Sequence, residues 1–365
     1  MSKSLVVGSH HLAREFALLG HSVLHICTPV TPAHLLLRSA RERVAAWKRG
    51  FIRHRENLQE IVPLALVPWQ ISRYFGLSMY LRSAPRLEGQ IRRAGFDQPD
   101  LLLVDEPRLG GICEMLRPKQ TIYRATDLYA VMRSDPSVNV AEQAALGRAG
   151  AMIATSGPVL EHLRSLDAGK PALVIENGVD ATHFSTPQPV PASYRGLPPS
   201  RLLYVGTLDH RFDFEAINSL ARLAPDLQVI IAGPASAPIE RLQTTLPNLI
   251  YLGPVAYEDV PALMQHADIG MLPLNDEPSN RGRSPMKLYE YAAAGLPVMA
   301  RATPELERRA GRFIHLYKDV ESMLSLTRQI LAAKPIRAEI AQSAIIHSWS
   351  GKALQVLEFA ANLPR

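Results

Sequence analysis

The chain has only two cysteines among 365 residues, Cys27 and Cys113. That count excludes a disulfide-stapled scaffold, and their separation excludes a zinc ribbon. No run reaches the roughly 18 uncharged apolar residues of a membrane-spanning helix. The N-terminus offers one four-residue apolar stretch, Leu5 to Gly8, before His10 and His11. A secretory signal needs an apolar run of about 7–15 residues, so none is expected. The first apolar run is not followed by Gly-x-Gly-x-x-Gly, which excludes the usual nicotinamide-dinucleotide fingerprint. An Asp-x-Asp after a strand is also missing, and His162, His183, His210 and His266 fall at no ligand spacing. Neither a metal nor another cofactor is therefore expected. Disorder is excluded in turn, because hydrophobic residues make up 47% of the chain, far more than a disordered composition carries.

What is present in excess is positive charge. Lys and Arg number 40 against 34 Asp and Glu, a net +6, and such a surface suits nucleic acid, an anionic membrane or an anionic small substrate. With no recognisable nucleic-acid module, that partner is not expected. The charge gathers in Arg38, Arg41, Arg43, Lys48, Arg49, Arg53 and Arg55, interleaved with Val44, Trp47 and Phe51. A second stretch mixes Trp69, Tyr74, Phe75, Met79 and Tyr80 with Arg73, Arg82, Arg86, Arg92 and Arg93. A basic amphipathic segment of this kind either lies in an anionic interface or is a solvated helix whose aromatics pack on the core. The first alternative leads to an expected location in the cytoplasm, peripheral on the inner face of the cell membrane.

Short apolar runs alternate with helical stretches along the chain. Strands are expected at Leu5–Gly8, Ser22–Cys27, Leu101–Val104, Gln120–Tyr123, Ala151–Thr155 and Ala172–Glu176, with a helix at His11–Leu19. A Pro-rich stretch follows at Pro187–Pro199. The strand rhythm then restarts at Arg201–Gly206 and continues through Val229–Ala232, Leu249–Leu252, Ile269–Leu272, Val298–Ala300 and Phe313–Leu316. Such alternation implies βαβ units and parallel sheets. The expectation is an α/β chain of two Rossmann-like domains, residues 1–190 and 200–340, with an inter-domain cleft and a tail helix over 341–365. Open parallel sheets bind ligands beyond the carboxyl ends of their strands, so the cleft is the default active site.

One stretch is specific. Arg283-Ser-Pro-Met-Lys-Leu-Tyr-Glu-Tyr-Ala-Ala-Ala-Gly-Leu-Pro-Val298 reads as a loop, a helix over Met286–Ala294, a Gly295 stop and a strand. Pro near the start and Gly at the stop fit helix asymmetry. The loop and first turn, Ser284, Pro285 and Met286, would offer free N–H groups to a diphosphate. Lys287 would supply a point charge, and Glu290 on the same face could accept from ribose hydroxyls. Alternatively, Lys287 and Glu290 are an ordinary i,i+3 surface pair.

This stretch resembles the donor-binding segment of GT-B glycosyltransferases, which transfer a sugar from a nucleotide diphosphate. Tyr204-Val-Gly-Thr-Leu-Asp209, with Gly206 and Thr207 in its turn, is similar to the family's strand-Gly-x-Leu turn. Val229–Pro234, Asn248–Pro254, Tyr257–Asp268 and the Asn177-Gly-Val-Asp180 loop resemble further family segments in the same order. Tyr123-Arg-Ala-Thr-Asp127 is similar to the Tyr-Arg-Ala-Ser-Asp segment of the xanthan-type glucuronosyltransferases, an inverting branch of this fold. That resemblance makes Asp127 the general base, taking the acceptor proton as the anomeric carbon is attacked. Arg124 would hold the carboxylate ionised or bind an anionic group. Asp127 also reads as a helix N-cap. Asp105 and Glu106, after the strand ending at Val104, and His10 or His11, at the first helix, are further acceptor or orienting candidates; alternatively they are plain turn and surface residues. Many retaining relatives carry a glutamate eight residues before the ribose-binding one, and here that position is Gly282. The resemblance therefore implies an inverting, metal-independent transfer from a UDP-sugar to a lipid-linked or polysaccharide-precursor acceptor. A retaining transferase and a non-catalytic subunit of a polysaccharide assembly complex are the alternatives.

Overall fold

The computed structural model describes residues 8–37, 40–72, 74, 81, 84, 87–133, 135, 137–311 and 313–364. Most of the expected first strand (Leu5–Val7) lies outside these residues, as do Arg38, Arg73, Phe75, Met79, Tyr80, Arg82 and Arg86 of the basic stretches. Two compact units emerge: Met1–Glu176 together with Trp349–Arg365, and Asn177–Ser348.

The first unit holds two sheets. In the smaller, β1 (Val23–Ile26) runs parallel to β3 (Leu58–Ile61), and β2 (Phe51–Arg55) pairs antiparallel with β3. The larger is parallel throughout in the order β4 (Leu101–Val104), β5 (Gln120–Ala125), β6 (Ala151–Ala154), β7 (Ala172–Val174). Side chains alternate faces along a strand. Tyr123, Ala125, Met152 and Ala154 enter one core with Leu87, Ile91 and Leu146. Ile122, Ala151 and Ile153 enter another, closed by Val356 and Ala360 of the last helix, Trp349–Ala361. Helix Gly8–Leu18 lies against that same last helix, with His11 stacked on Trp349 at 5.1 Å between centroids.

The second unit is a six-stranded parallel sheet with apolar clusters on both faces. Its order is β10 (Leu249–Gly253), β9 (Gln228–Ala232), β8 (Arg201–Val205), β11 (Ile269–Leu272), β12 (Val298–Arg301), β13 (Ile314–Tyr317). Leu203, Val205, Ile230 and Ala232 face one cluster, and Leu202, Tyr204, Val229 and Ile231 the other. Continuous apolar strands of this kind are the mark of a parallel sheet covered on both sides.

Several expectations are corrected. Gly8 opens a helix and is not the end of a strand. The basic stretch is not one helix: helix Arg41–Arg49 stops at Gly50, whose φ is +68°, and Arg53 and Arg55 lie on β2. The chain divides after Glu176, whereas the Pro-rich stretch suggested a break near 190. Residues 177–200 are bound into the second unit: Tyr194 is buried there and donates to Leu263 O at 3.1 Å, and Gln188 N–H donates to Gln265 Oε1 at 2.8 Å. The tail is likewise two pieces. Residues up to Ser348 stay with the second unit, and the last helix joins the first because Val356 and Ala360 complete its core.

Candidate active site

In the second unit, β8, β9 and β10 step outward one way and β11, β12 and β13 the other. The order reverses between β8 and β11, the topological switch point at which open α/β sheets leave a ligand crevice. β8 and β11 pair only at Leu202–Ile269 and Leu203–Gly270. Beyond that, Val205 N–H donates 2.9 Å to Tyr291 Oη, which in turn faces Leu203 O at 3.2 Å and Met271 O at 3.4 Å. A Cβ on Gly270 would fall 2.5 Å from the Tyr291 ring, so glycine is what admits it. One tyrosine thus pins helix Lys287–Ala293 to the reversal point.

That helix carries two of the expected donor residues, Lys287 and Glu290. Lys287 Nζ pairs with Glu290 Oε2, and the Glu290 side chain is nearly buried. The ion pair foreseen as an alternative to donor binding is therefore formed, on the helix that Tyr291 holds at the reversal point. The helix is seven residues long and begins one residue later than expected. Met286 is its half-buried N-cap. Ser284 and Pro285 are buried. Ser284 Oγ accepts from Arg309 Nη1 at 3.1 Å and its carbonyl from Asn177 Nδ2 at 2.8 Å, so this serine ties the Asn177 loop into the unit. Gly206 follows β8 directly, its N–H donating 2.9 Å to Ala232 O. Thr207 O accepts from Tyr204 Oη at 3.0 Å. A Cβ on Gly233, where φ is +137°, would lie 2.0 Å from Gly206 O, so this turn closes only with glycine.

Two arginines missed at the sequence level join this set. Arg211 grips Asp209 with a bifurcated Nε at 3.2 and 3.0 Å. Burial works against an ionised Asp209, but Arg211, with Arg283 nearby, overcomes it and holds the carboxyl below its ordinary value. Arg211 stands two residues past the Tyr204–Asp209 motif and Arg283 opens the specific stretch, and only the fold shows that they act on one carboxylate. Lys287, Arg211 and Arg283 give the unit cationic side chains of the kind that hold a diphosphate.

In the first unit, Asp127 sits half-buried in the turn between β5 and helix Tyr129–Arg133. Arg124 is fully buried, and its Nη1 donates 2.7 Å to Asp105 Oδ2. Burial pushes the Asp105 carboxyl above its ordinary value, with Arg124 pulling the other way. Arg124 is thus anchored in the interior by Asp105, a pairing that the sequence alone does not name. Glu106 caps the turn Pro107–Leu109 and forms a two-pronged pair with Arg108, at 2.9 Å on each oxygen. His11 is buried, its ring stacked on that of Trp349. His10 stands with its ring 4.5 Å from that of His25, beside Cys27 and Glu60. Burial pushes the His25 imidazole down to about 3 and the Cys27 thiol up to about 12.

Against known structures, the chain superposes over 97% of its length on 92% of sucrose-phosphate synthase from Thermosynechococcus elongatus, with TM-score 0.74 and 19% identity. HepE of Anabaena, solved in complex with UDP and glucose, matches over 100% of this chain and 98% of its own, with TM-score 0.69 and 16% identity. The fold is the GT-B fold. Within this GT-B chain, residues 214–356 match a family model described as glycosyl transferase-like. TuaH of Bacillus subtilis (strain 168), whose name places it in teichuronic acid biosynthesis as a glycosyltransferase, is 28% identical over 216 residues. That match covers 54% of each chain, so this GT-B chain spans about half the length of the curated relative.

Proposed function

We propose that the chain is a glycosyltransferase that moves a sugar from a UDP-sugar to a lipid-linked or polysaccharide-precursor acceptor, without a metal at the diphosphate. The observation that carries this reading is the Lys287–Glu290 pair, fixed by Tyr291 at the switch point within the stretch that matches the glycosyl transferase-like model. Lys287 would bind phosphate and Glu290 the ribose hydroxyls, with Arg211 and Arg283 offsetting the remaining charge. HepE, of the same fold, was solved with UDP, and the name of TuaH supports a polysaccharide acceptor. A glucuronosyl donor would extend the Tyr123–Asp127 resemblance.

Asp127 is proposed as the general base of an inverting transfer, the role its segment has in the xanthan-type branch. A second reading, retention without a base, is favoured by the presence of Glu290. A panel of UDP-sugars should raise the melting temperature, because a donor bound only to the native state stabilises it. Lys287→Ala should abolish that rise. Asp127→Asn should lower transfer by about 10²–10⁴-fold, the usual contribution of a general base, while leaving donor stabilisation in place. Survival of transfer in that variant, with an α-to-α product, would establish retention. Absence of any nucleotide stabilisation and of any transfer would overturn the whole reading.

The basic helix adds a proposed location on an anionic membrane surface at the cytoplasmic face. Arg41, Lys48 and Arg49 are exposed on helix Arg41–Arg49. The preceding segment leaves Leu35, Leu36 and Leu37 open to solvent, Leu36 at 89%. Among the described residues no helix is long and apolar enough to cross a membrane.

A further inference from the structure

The smaller sheet of the first unit gathers a donor set that the sugar-transfer reading does not use. His25 on β1 and Glu60 on β3 are directly opposite partners in the parallel ladder, so their side chains share a face. Cys27, two residues past His25, returns to that face. His10 comes from the first turns of helix Gly8–Leu18. One ligand atom from each of His10, His25, Cys27 and Glu60 lies within 4.8 Å of all the others. The Cys27 Sγ to His25 Nδ1 separation is 3.6 Å, and His25 Nδ1 to Glu60 Oε2 is 4.0 Å. Metal bonds of about 2.0–2.3 Å place the ligand atoms of a tetrahedral site roughly 3.5 Å apart. The cluster therefore needs only a small contraction to close around an ion.

Two neighbours orient the donors. His25 Nε2 lies 3.2 Å from Ser9 Oγ. A proton donated there leaves the Nδ1 lone pair facing Cys27 and Glu60. On β2 the register slips between Arg53 and Arg55, and His54 is the extra residue of that bulge. Bulges re-aim side chains, and this one brings His54 Nε2 to 3.1 Å from Glu60 Oε2. Metal-ligating carboxylates and imidazoles are normally held by such outer partners.

We propose that His10, His25, Cys27 and Glu60 bind a divalent transition-metal ion, with Ser9 and His54 as positioning residues. Two imidazoles, a thiolate and a carboxylate form a mixed set suited to zinc and unsuited to calcium or magnesium, which take oxygen ligands. On binding, the Cys27 thiol gives up its proton to solvent and the sulfur lone pair forms the metal bond. The ion joins helix Gly8–Leu18 to β1 and β3, a linkage independent of whether the chain transfers sugar.

The test uses the untagged full chain, stripped with chelator and titrated with cobalt(II) as a spectroscopic probe, then with zinc. One equivalent of cobalt should give sulfur-to-metal charge-transfer absorption that zinc displaces, and zinc alone should raise the melting temperature. Cys27→Ser should remove the absorption and Cys113→Ser should keep it. His54→Gln should keep the absorption but weaken zinc binding about 10–100-fold, the usual effect of losing an outer partner. Absence of charge-transfer absorption in the wild-type chain, or its survival in Cys27→Ser, overturns the site. Unchanged zinc affinity in His54→Gln overturns the positioning role.

Discussion

Tyr291 carries more of the candidate site than its place inside a helical motif would suggest. β8 and β11 separate after Leu203–Gly270, and the tyrosine hydroxyl takes over the Val205 N–H that no strand receives. Tyr291→Phe keeps the ring in its slot but leaves a buried N–H unsatisfied, which costs about 1–3 kcal/mol. Urea unfolding should show that loss, and donor stabilisation should weaken with it as the helix carrying Lys287 and Glu290 loosens. Gly270→Ala should cost more, since its Cβ meets the ring at 2.5 Å. Arg124 makes the opposite point. Asp127, three residues on, suggested a partner in catalysis, and the structure adds a pairing of the buried guanidinium with Asp105. Arg124→Ala should therefore destabilise the fold by about 3 kcal/mol, the scale of breaking a buried pair, with donor stabilisation of the folded fraction unchanged.

At the scale of elements, the short apolar runs were legible without context: the fully buried Ile269–Leu272 and the half-buried Leu101–Val104 both match their expected bounds. β2 was not legible. Phe51-Ile-Arg-His-Arg55 is short, follows a helix rich in arginine, and becomes a strand only through pairing with Leu58–Ile61. The zinc-like cluster was invisible for the same reason, since its ligands come from a helix and two strands and share no sequence spacing beyond His25-x-Cys27. A second polar chain crosses elements in the larger core. Glu142, fully buried in helix Ser137–Arg148, accepts from Tyr123 Oη at 2.7 Å and meets His162 Nε2 at 2.6 Å. The hydrogen bond to Glu142 raises the His162 pKa above its ordinary value, against the opposing effect of burial. A raised folded value means that protonated His162 stabilises the fold fully below its unfolded pKa of about 6.5, and that this is lost as pH rises through the folded value. His162→Gln should accordingly cost about 1.5 kcal/mol near pH 5.5 and clearly less near pH 9. Equal losses in urea midpoint at both pH values would count against the charged pair.

For the whole molecule, net charge says nothing about fold but a good deal about surfaces. Two units were legible from the restart of the strand rhythm at Arg201, but the break was not. Proline density marks stretches that avoid regular structure, and it does not show which unit holds them; side-chain bonds from Gln188 and Tyr194 decide that here. The positive charge can be weighed in the same physical terms. Each basic residue near an anionic leaflet contributes about 1 kcal/mol. Replacing Arg41, Lys48 and Arg49 by glutamine should remove about 3 kcal/mol of attraction, roughly a hundredfold in partition at 1.4 kcal/mol per tenfold. Leu36→Ser should weaken binding further by removing an apolar contact, with no cost to the core, because that side chain is open to solvent. Co-sedimentation with liposomes containing anionic lipid measures both, and added salt should lower the wild-type signal as it screens the charges. Partitioning that is unchanged in the triple variant, or insensitive to salt, would remove the membrane from the proposal while leaving the donor site untouched. In that case the basic helix would be an ordinary solvated face.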